Sequence, residues 1–398
     1  KGNTSDDIIS SSYEGPDSLR YTWECSDVPQ VFLEPSMPSF ASVAQRLLLS
    51  TTSSWEELSQ WYWDISLPRY TTSSELEDAV NAIVYNVNTP EEKIEALFYW
   101  VAQNIRYSGV IAETVSPGYE PHEVTMTFEK KMGVCRDKAA LLVVMLRYAG
   151  FEAYPVIIHN GPKKDIEVPM PYFNHAIVCV SIDGEYILMD PTDEMTKDLL
   201  PAYLSNKSFL VARPDGETLL TSPTAPAEDN MMVVVTNANI ADSGELRAES
   251  SLTFEGINDN AYRNAFANMK ESDILRFFES RIAEAIPGAT LKHLSIAPTD
   301  ILDTSVPLSV SITYEATDAV ISGDDATIIS LPHLGISRQG SNEGFGIINF
   351  ILSENTSLES RVFPLDLYTT CGVYEDITLS IDKSFGAPIS LPDDVENE

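Results

Sequence analysis

Three residues carry the chemistry this sequence offers, in the order Cys135, His175, Asp190. Cys135 lies in Gly133-Val134-Cys135-Arg136-Asp137-Lys138-Ala139-Ala140, directly ahead of an apolar run, Ala139 to Tyr148, that reads as a helix ending at Gly150. A cysteine at a helix mouth faces unpaired N–H groups and the positive end of the helix dipole. Both favour the thiolate, and the thiolate is the nucleophile. His175 follows in Asn174-His175 and Asp190 in Asp190-Pro191. A cysteine, a histidine and an aspartate in that order suit acyl transfer. The thiolate attacks an acyl carbon, the imidazole takes and returns a proton, and the carboxylate fixes the imidazole's tautomer.

These groups must be brought together by the elements that carry them. His175 to Ile182 reads as a strand, Asp183-Gly184 as a two-residue turn, and Tyr186 to Asp190 as the return strand. A two-residue turn pairs Ile182 with Glu185. Continued outward, that register sets Ile177 against Asp190 and His175 against Thr192, so Asp190 and His175 share one face on a diagonal. Diagonal neighbours lie roughly 7–8 Å apart at Cα, within reach of a carboxylate–imidazole hydrogen bond.

An acyl-transfer site also needs donors for the oxyanion. The backbone N–H of Cys135 is one, and Tyr107 or Asn104, at the end of the preceding helix, is a candidate for the second, with Tyr107 favoured. Asp137 is read as a cap on the first turn of the cysteine helix rather than as a reacting group. Arg136 and Lys138 either pair with acidic neighbours or deepen the electropositive setting of the thiol. His122 is expected on the loop surface, and Cys179 reads as a small core residue of an apolar strand. Four cysteines, Cys25, Cys135, Cys179 and Cys371, are too sparse for a disulfide framework. No spacing of Cys, His and Asp suits a metal, and no glycine loop suits a nucleotide, so no cofactor is expected.

The chain has 398 residues, more than one ordinary core accommodates, and a formal net charge of −35. That charge argues against nucleic acid as a partner. No apolar run reaches the roughly 18 residues of a membrane span. The chain opens on Lys1, which suggests a trimmed or processed N-terminus. Residues 1 to about 20 read as a polar loop or frayed end. Tyr21–Cys25, Val31–Pro35 and Ala44–Ser50 read as strand material, and Ser54 and Thr89-Pro90 as helix starts. Ser108 to Thr127 is a Gly- and Pro-containing loop, and 160–172 a polar loop. From Met231 onward, strand-like runs are interrupted by helical stretches near 259–269 and 272–286; the last residues, Asp393 to Glu398, form an acidic end. The expected organisation is 1–80 for the end of a β-rich domain with a connecting helix, 81–212 for the core carrying the site, 213–230 for a linker, and 231–398 for a β-sandwich-like domain with a helical insertion.

The three segments Gly133–Ala139, Asn174-His175-Ala176 and Leu188-Met189-Asp190-Pro191-Thr192 resemble the core motifs of the transglutaminase-like superfamily, and Ile105-Arg106-Tyr107 resembles the segment before its nucleophile. The match covers about residues 80–205. Arg20–Glu24, Glu34–Pro38 and Ser54-Trp55, with Arg361–Leu365 and Leu391-Pro392, resemble the β-rich flanking domains of a bacterial subgroup. The residue before Cys135 is Val134, where that subgroup often has a small polar residue. The resemblance implies an α+β fold, a papain-like core of helices packed on an antiparallel sheet, flanked by β-rich, sandwich-like domains. It implies a Cys-His-Asp triad acting through a thioester, on a protein or peptide substrate, without a cofactor. Bacterial members are more often hydrolases, which favours a cysteine peptidase or amidase. A glutamine transglutaminase, or a non-catalytic surface binding protein, are the alternatives. Such proteins are often exported, so the periplasm or cell surface is the expected location.

Overall fold

The computed structural model describes residues 8–28, 30–108, 118–317, 319–324, 326–336, 344–353, 358–367 and 369–391. The chain divides into two compact units, Lys1–Thr224 with Leu358–Thr369, and Ala225–Ser357 with Thr370–Glu398. The fold is α+β: a helix-and-sheet core of transglutaminase-like character, with further β-sheets elsewhere in the chain.

The first unit opens with an antiparallel hairpin, β1 (Ile8–Glu14) and β2 (Leu19–Cys25), where the sequence read only the second strand. The segments 31–35 and 44–50 form no strand: the first runs into a turn at Pro35-Ser36, the second makes an isolated bridge at Leu47, and the short helix α1 (Phe40–Val43) lies between them. Phe32, Leu33 and Leu49 stay exposed. Next come α2 (Trp55–Ser66), α3 (Ser74–Val84) and α4 (Pro90–Asn104). Ser54 caps α2, its hydroxyl accepting the Glu57 N–H at 3.1 Å. Thr89 and Glu92 exchange side-chain-to-backbone bonds of 3.2 Å in each direction at the start of α4.

A two-residue strand β3 (Arg106–Tyr107) leads into the loop, of which 109–117 lie outside the described residues. The end of that loop is helical, α5 (Val124–Lys130). Then β4 (Met132–Gly133) pairs with β3, and the cysteine helix α6 (Cys135–Tyr148) begins. It ends as the glycine predicts. Gly150 adopts φ +94°, with the Gly150 N–H on the Arg147 carbonyl and the Phe151 N–H on that of Leu146, both at 3.0 Å.

The central sheet follows, β5 (Ala153–Ile158), β6 (His175–Ile182), β7 (Glu185–Met189), β8 (Ser208–Val211) and β9 (Leu220–Thr221), in the order β7-β6-β5-β8-β9. All pairings are antiparallel. Asp183 and Gly184 have φ of +53° and +87°, a tight turn that pairs Ile182 with Glu185 as expected. The sheet has two apolar faces. One packs on α3, α4 and α6 through Leu97, Leu142, Val178 and Met189. The other packs on α2 through Trp55, Tyr62, Ile177 and Leu188.

The second unit holds β10 (Met231–Ile240), β11 (Leu246–Phe254), α7 (Ile257–Ala267), α8 (Glu271–Ala285), β12 (Ala289–Ala297), β13 (Ser309–Ala316), β14 (Val320–Ser322), β15 (Thr327–Ile329), α9 (Ile348–Ser353) and β16 (Gly372–Ile381). Five of these strands form one sheet in the order β12-β13-β11-β10-β16, and β14 pairs with β15. The unit is β-rich, but among the described residues the buried face of its large sheet packs on Tyr262, Phe266, Phe278 and Ile282 of two helices. The described layering is therefore sheet on helix rather than sheet on sheet. Alternation along β11 leaves Arg247, Glu249 and Ser251 on the other face, and β10 adds Val235, Asn237 and Asn239 to it.

Buried Arg263 anchors this unit. Its guanidinium is fully buried and forks onto Asp259, while Nη1 donates to the carbonyls of Ile301 at 2.7 Å and Asp303 at 3.0 Å and Nη2 to that of Val306. Asp259 also accepts the Leu308 N–H at 2.7 Å. Removing one partner of a buried ion pair strands the other charge, at a cost of about 3–5 kcal/mol. Asp259→Ala is expected to lower the unit's stability by that order. All five tryptophans, Trp23, Trp55, Trp61, Trp63 and Trp100, lie in the first unit, so far-UV dichroism rather than tryptophan fluorescence must follow the loss. An unchanged unfolding midpoint would refute the anchoring role.

Candidate functional site

The cysteine helix is held in place by its own first turn. Asp137 is buried; its Oδ2 accepts the Val134 N–H at 3.0 Å, the capping role expected for it. Its Oδ1 accepts the His122 N–H at 2.9 Å and lies 3.1 Å from His122 Nδ1. His122 is therefore buried, against the expectation of loop surface, because the carboxylate draws the loop inward. Gly133 permits this approach: a Cβ there would lie 2.7 Å from the Asp137 Cβ.

Lys138, the next residue, is also buried. Its ammonium donates to the carbonyls of Ala102 at 3.0 Å and Ile105 at 2.6 Å. These are carbonyls at the C-terminal end of α4, where a cation complements the dipole. Burial pulls this amine down to about 8 despite nearby Glu194 and Asp190. Arg136 reaches the Gly118 carbonyl at 2.6 Å. Arg136 Nε also lies 4.0 Å from Asp137 Oδ1, the acidic pairing expected for it, whereas Lys138 serves backbone carbonyls.

Tyr107 arrives at Cys135 through the β3–β4 pairing, which sets it opposite Gly133. The Cys135 thiol and backbone N–H both act on its hydroxyl; burial, then the thiol, push the phenol up. Asn104, the other oxyanion candidate, turns back onto its own helix and donates to the Trp100 carbonyl at 3.0 Å.

His175 opens β6. Its Nε2 lies 2.8 Å from Asp190 Oδ2, the contact the hairpin register predicts, and its side chain is 17% exposed. The thiol and the imidazole lie close enough to act on each other's ionisation. The sequence missed how tightly Asp190 is held. The chain leaves the ladder there, its N–H going to the Leu199 carbonyl at 2.7 Å, so the return strand stops at Met189. Oδ1 accepts from the N–H of Thr192 at 3.0 Å and its hydroxyl at 2.7 Å, and the Tyr203 hydroxyl donates to Oδ2 at 3.3 Å. A threonine two residues past an aspartate signals such a turn. Nothing in sequence spacing signals Tyr203.

The electrostatics follow. Burial alone would raise the Asp190 carboxyl, but His175 and then Thr192 outweigh it and hold it low. Burial would lower His175, yet Asp190 and Cys135 raise it to about 10. Burial would raise the Cys135 thiol; the His175 hydrogen bond and charge, then the N–H groups of Ala176 and Arg136, bring it below its ordinary value of 9.0. Both shifts favour the thiolate and the imidazolium over the neutral pair. In contrast, burial drives Cys179 far up, as suits a core thiol. Among the described residues no group of three or more His, Cys, Asp or Glu could hold a metal ion.

Residues 77–191 match the profile of the Transglutaminase-like superfamily. A search of curated proteins finds no match. Among solved structures, a candidate protease from Parabacteroides distasonis is similar at 13% identity and TM-score 0.42, over 78% of this chain and 62% of that one. A candidate cysteine protease from Cytophaga hutchinsonii is similar at 22% identity and TM-score 0.25, over 35% of this chain and 43% of that one. The chain thus spans less than two thirds of either protein's length.

The fit at Gly133 is testable. In Gly133→Ala the new methyl must displace Asp137 and loosen the helix mouth. Overpacking of this kind costs roughly 1–3 kcal/mol. Tryptophan fluorescence should report earlier denaturation of the first unit, and Cys135 should alkylate more slowly. A variant with native midpoint and native alkylation rate would show that the contact is unimportant.

Proposed function

We propose that the protein is a cysteine-dependent hydrolase of amide bonds, acting on a peptide or protein substrate with Cys135 as nucleophile, His175 as acid and base, and Asp190 as the group that orients it. The observation that supports this reading best is the 2.8 Å bond between His175 and a wholly buried Asp190, with the His175 imidazole acting on the Cys135 thiol to lower it. The superfamily match over 77–191 agrees with it.

The thiolate attacks the carbonyl carbon, and the C–O π electrons move onto oxygen. Tyr107, kept protonated by its raised value, donates to that oxyanion, and the Cys135 N–H is the second donor once the phenol turns from it. Collapse breaks the C–N bond while the His175 imidazolium gives its proton to the departing amine. His175, now neutral, takes a proton from water, which attacks the thioester; the acid leaves and the thiolate is restored. Asp190 stays ionised throughout and stabilises each imidazolium.

The pH dependence is specific. An ion pair exists between the lowered thiol and the imidazole at about 10. Alkylation of Cys135 by iodoacetamide is therefore expected to reach a plateau below pH 9, with a second inflection near pH 10 as the imidazolium loses its proton. In His175→Ala only burial and the backbone donors remain, so the first inflection should move up. A single inflection at or above pH 9 in the native protein would sink the thiolate reading.

Activity supplies the second test. On a mixed peptide substrate, cleavage is expected, Cys135→Ala should abolish it, and Asp190→Asn should reduce kcat by something on the order of 10³–10⁴-fold. Added primary amine competes with water for the thioester. Amine incorporation in place of cleavage would show that the acceptor is an amine and overturn the hydrolase assignment.

A further inference from the structure

The chain carries 25 Lys and Arg against 60 Asp and Glu, yet beside His175 three basic side chains gather without an acid. Ile158 pairs with His175, and the next residue is His159. The loop that follows is tied to the strand carrying His175: the Asn160 N–H donates to Asn174 Oδ1 at 2.8 Å, and Asn174 Nδ2 donates to the Asn160 carbonyl at 2.9 Å. The Lys164 N–H donates to Ser208 Oγ at 2.9 Å, and the His159 N–H to the Ser208 carbonyl, also at 2.9 Å, which brings Lys207 to the same place. Lys164 Nζ lies 4.7 Å from the centre of the Phe173 ring. All three side chains are half-buried.

Like charges collected under partial burial are unfavourable unless something answers them. Burial pushes His159 down and the charges of Lys164 and Lys207 push it further, with no carboxylate acting the other way. Burial alone brings Lys164 to about 8. Among the described residues no carboxylate forms an ion pair with either lysine. The His159 ring lies against Gly161, where a Cβ would come within 2.8 Å of Nε2, and its Nδ1 is buried and meets no hydrogen-bond partner among the described residues. The fold therefore gathers two lysines beside a His159 that burial and their charges keep from protonating, and no carboxylate pairs with either lysine among the described residues.

We infer that His159, Lys164 and Lys207 form a subsite for a carboxylate of the substrate. The strand order β7-β6-β5-β8 puts it across β6 from Asp190, so a peptide whose scissile carbonyl sits at Cys135 would carry its acid on that flank. The inference rests on the acyl-transfer reading, since only a peptide or amide substrate makes a carboxylate the anion to expect. Two sources share the chemistry: an acidic side chain and a free C-terminal carboxylate.

Three alkylating probes separate them: iodoacetyl-glutamine amide, iodoacetyl-glutamate amide and iodoacetyl-glutamine with a free terminal acid. At low ionic strength at least one acidic probe should label Cys135 about tenfold faster than the neutral one, and the faster acid identifies the source. The acid-to-neutral ratio should fall towards one in high salt and in the double variant Lys164→Gln, Lys207→Gln, but not in Lys383→Gln, which removes a charge from the second unit. A second measurement is independent of the thiol. In Cys135→Ala, glutarate should slow acetylation of Lys164 and Lys207 several-fold, read by mass spectrometry, and glutaramide should not. Equal labelling of Cys135 by acidic and neutral probes overturns the subsite and leaves the nucleophile standing. If Cys135 labels no faster than Cys25 and Cys371, the acyl-transfer reading fails instead, and loss of glutarate protection would then overturn the anion site as well.

Discussion

Everything at this site depends on one buried carboxylate. Asp190 has no exposed surface, and an ionised group so placed survives only if donors replace its water. Four do: the imidazole of His175, the N–H and hydroxyl of Thr192, and the hydroxyl of Tyr203. The carboxylate in turn raises the His175 imidazole, and the imidazole lowers the Cys135 thiol. The ionisation of the thiol is thus tuned from two side chains away.

The nucleophile's side of the site is built by a different logic. There the helix mouth is fixed by backbone donors and acceptors that polar side chains have taken over. Asp137 occupies N–H groups of Val134 and His122, and Lys138 occupies carbonyls of Ala102 and Ile105. The second of these ties the end of α4 to the start of α6. Since β3 follows α4 directly, the same tie locates Tyr107 beside Cys135. Buried charges here serve as spacers between main-chain segments; the first-turn carboxylate and the helix-end ammonium each satisfy groups a helix end would otherwise leave open.

The sequence made the local rules legible and the long-range ones opaque. The Asp183-Gly184 turn is a two-residue hairpin by residue type alone, and its register correctly brought His175 to Asp190. Ser54, Thr89 and Gly150 mark helix ends for reasons confined to a few neighbours. In contrast, Val31–Pro35 and Ala44–Ser50 have strand-like composition but join no sheet ladder among the described residues, a fact no local pattern contains. His122 went inward because of Asp137, fifteen positions along the chain. The helices that cover the second unit's sheet were visible as helices, but not as the layer that replaces a second sheet. Thr192 lay within a motif whose turn chemistry could have been read; Tyr203 could not.

The division of the site along the chain has a consequence for the protein's early life. Tyr107 and Cys135 come from residues 105–138, His175 and Asp190 from 175–192, and the two sets meet only when the sheet closes on the cysteine helix. A newly made or stretched chain carries a thiol of ordinary acidity, with no neighbour to ionise it. The lowered thiol is born with the tertiary structure, so an unfolded chain is spared the side reactions that a thiolate invites.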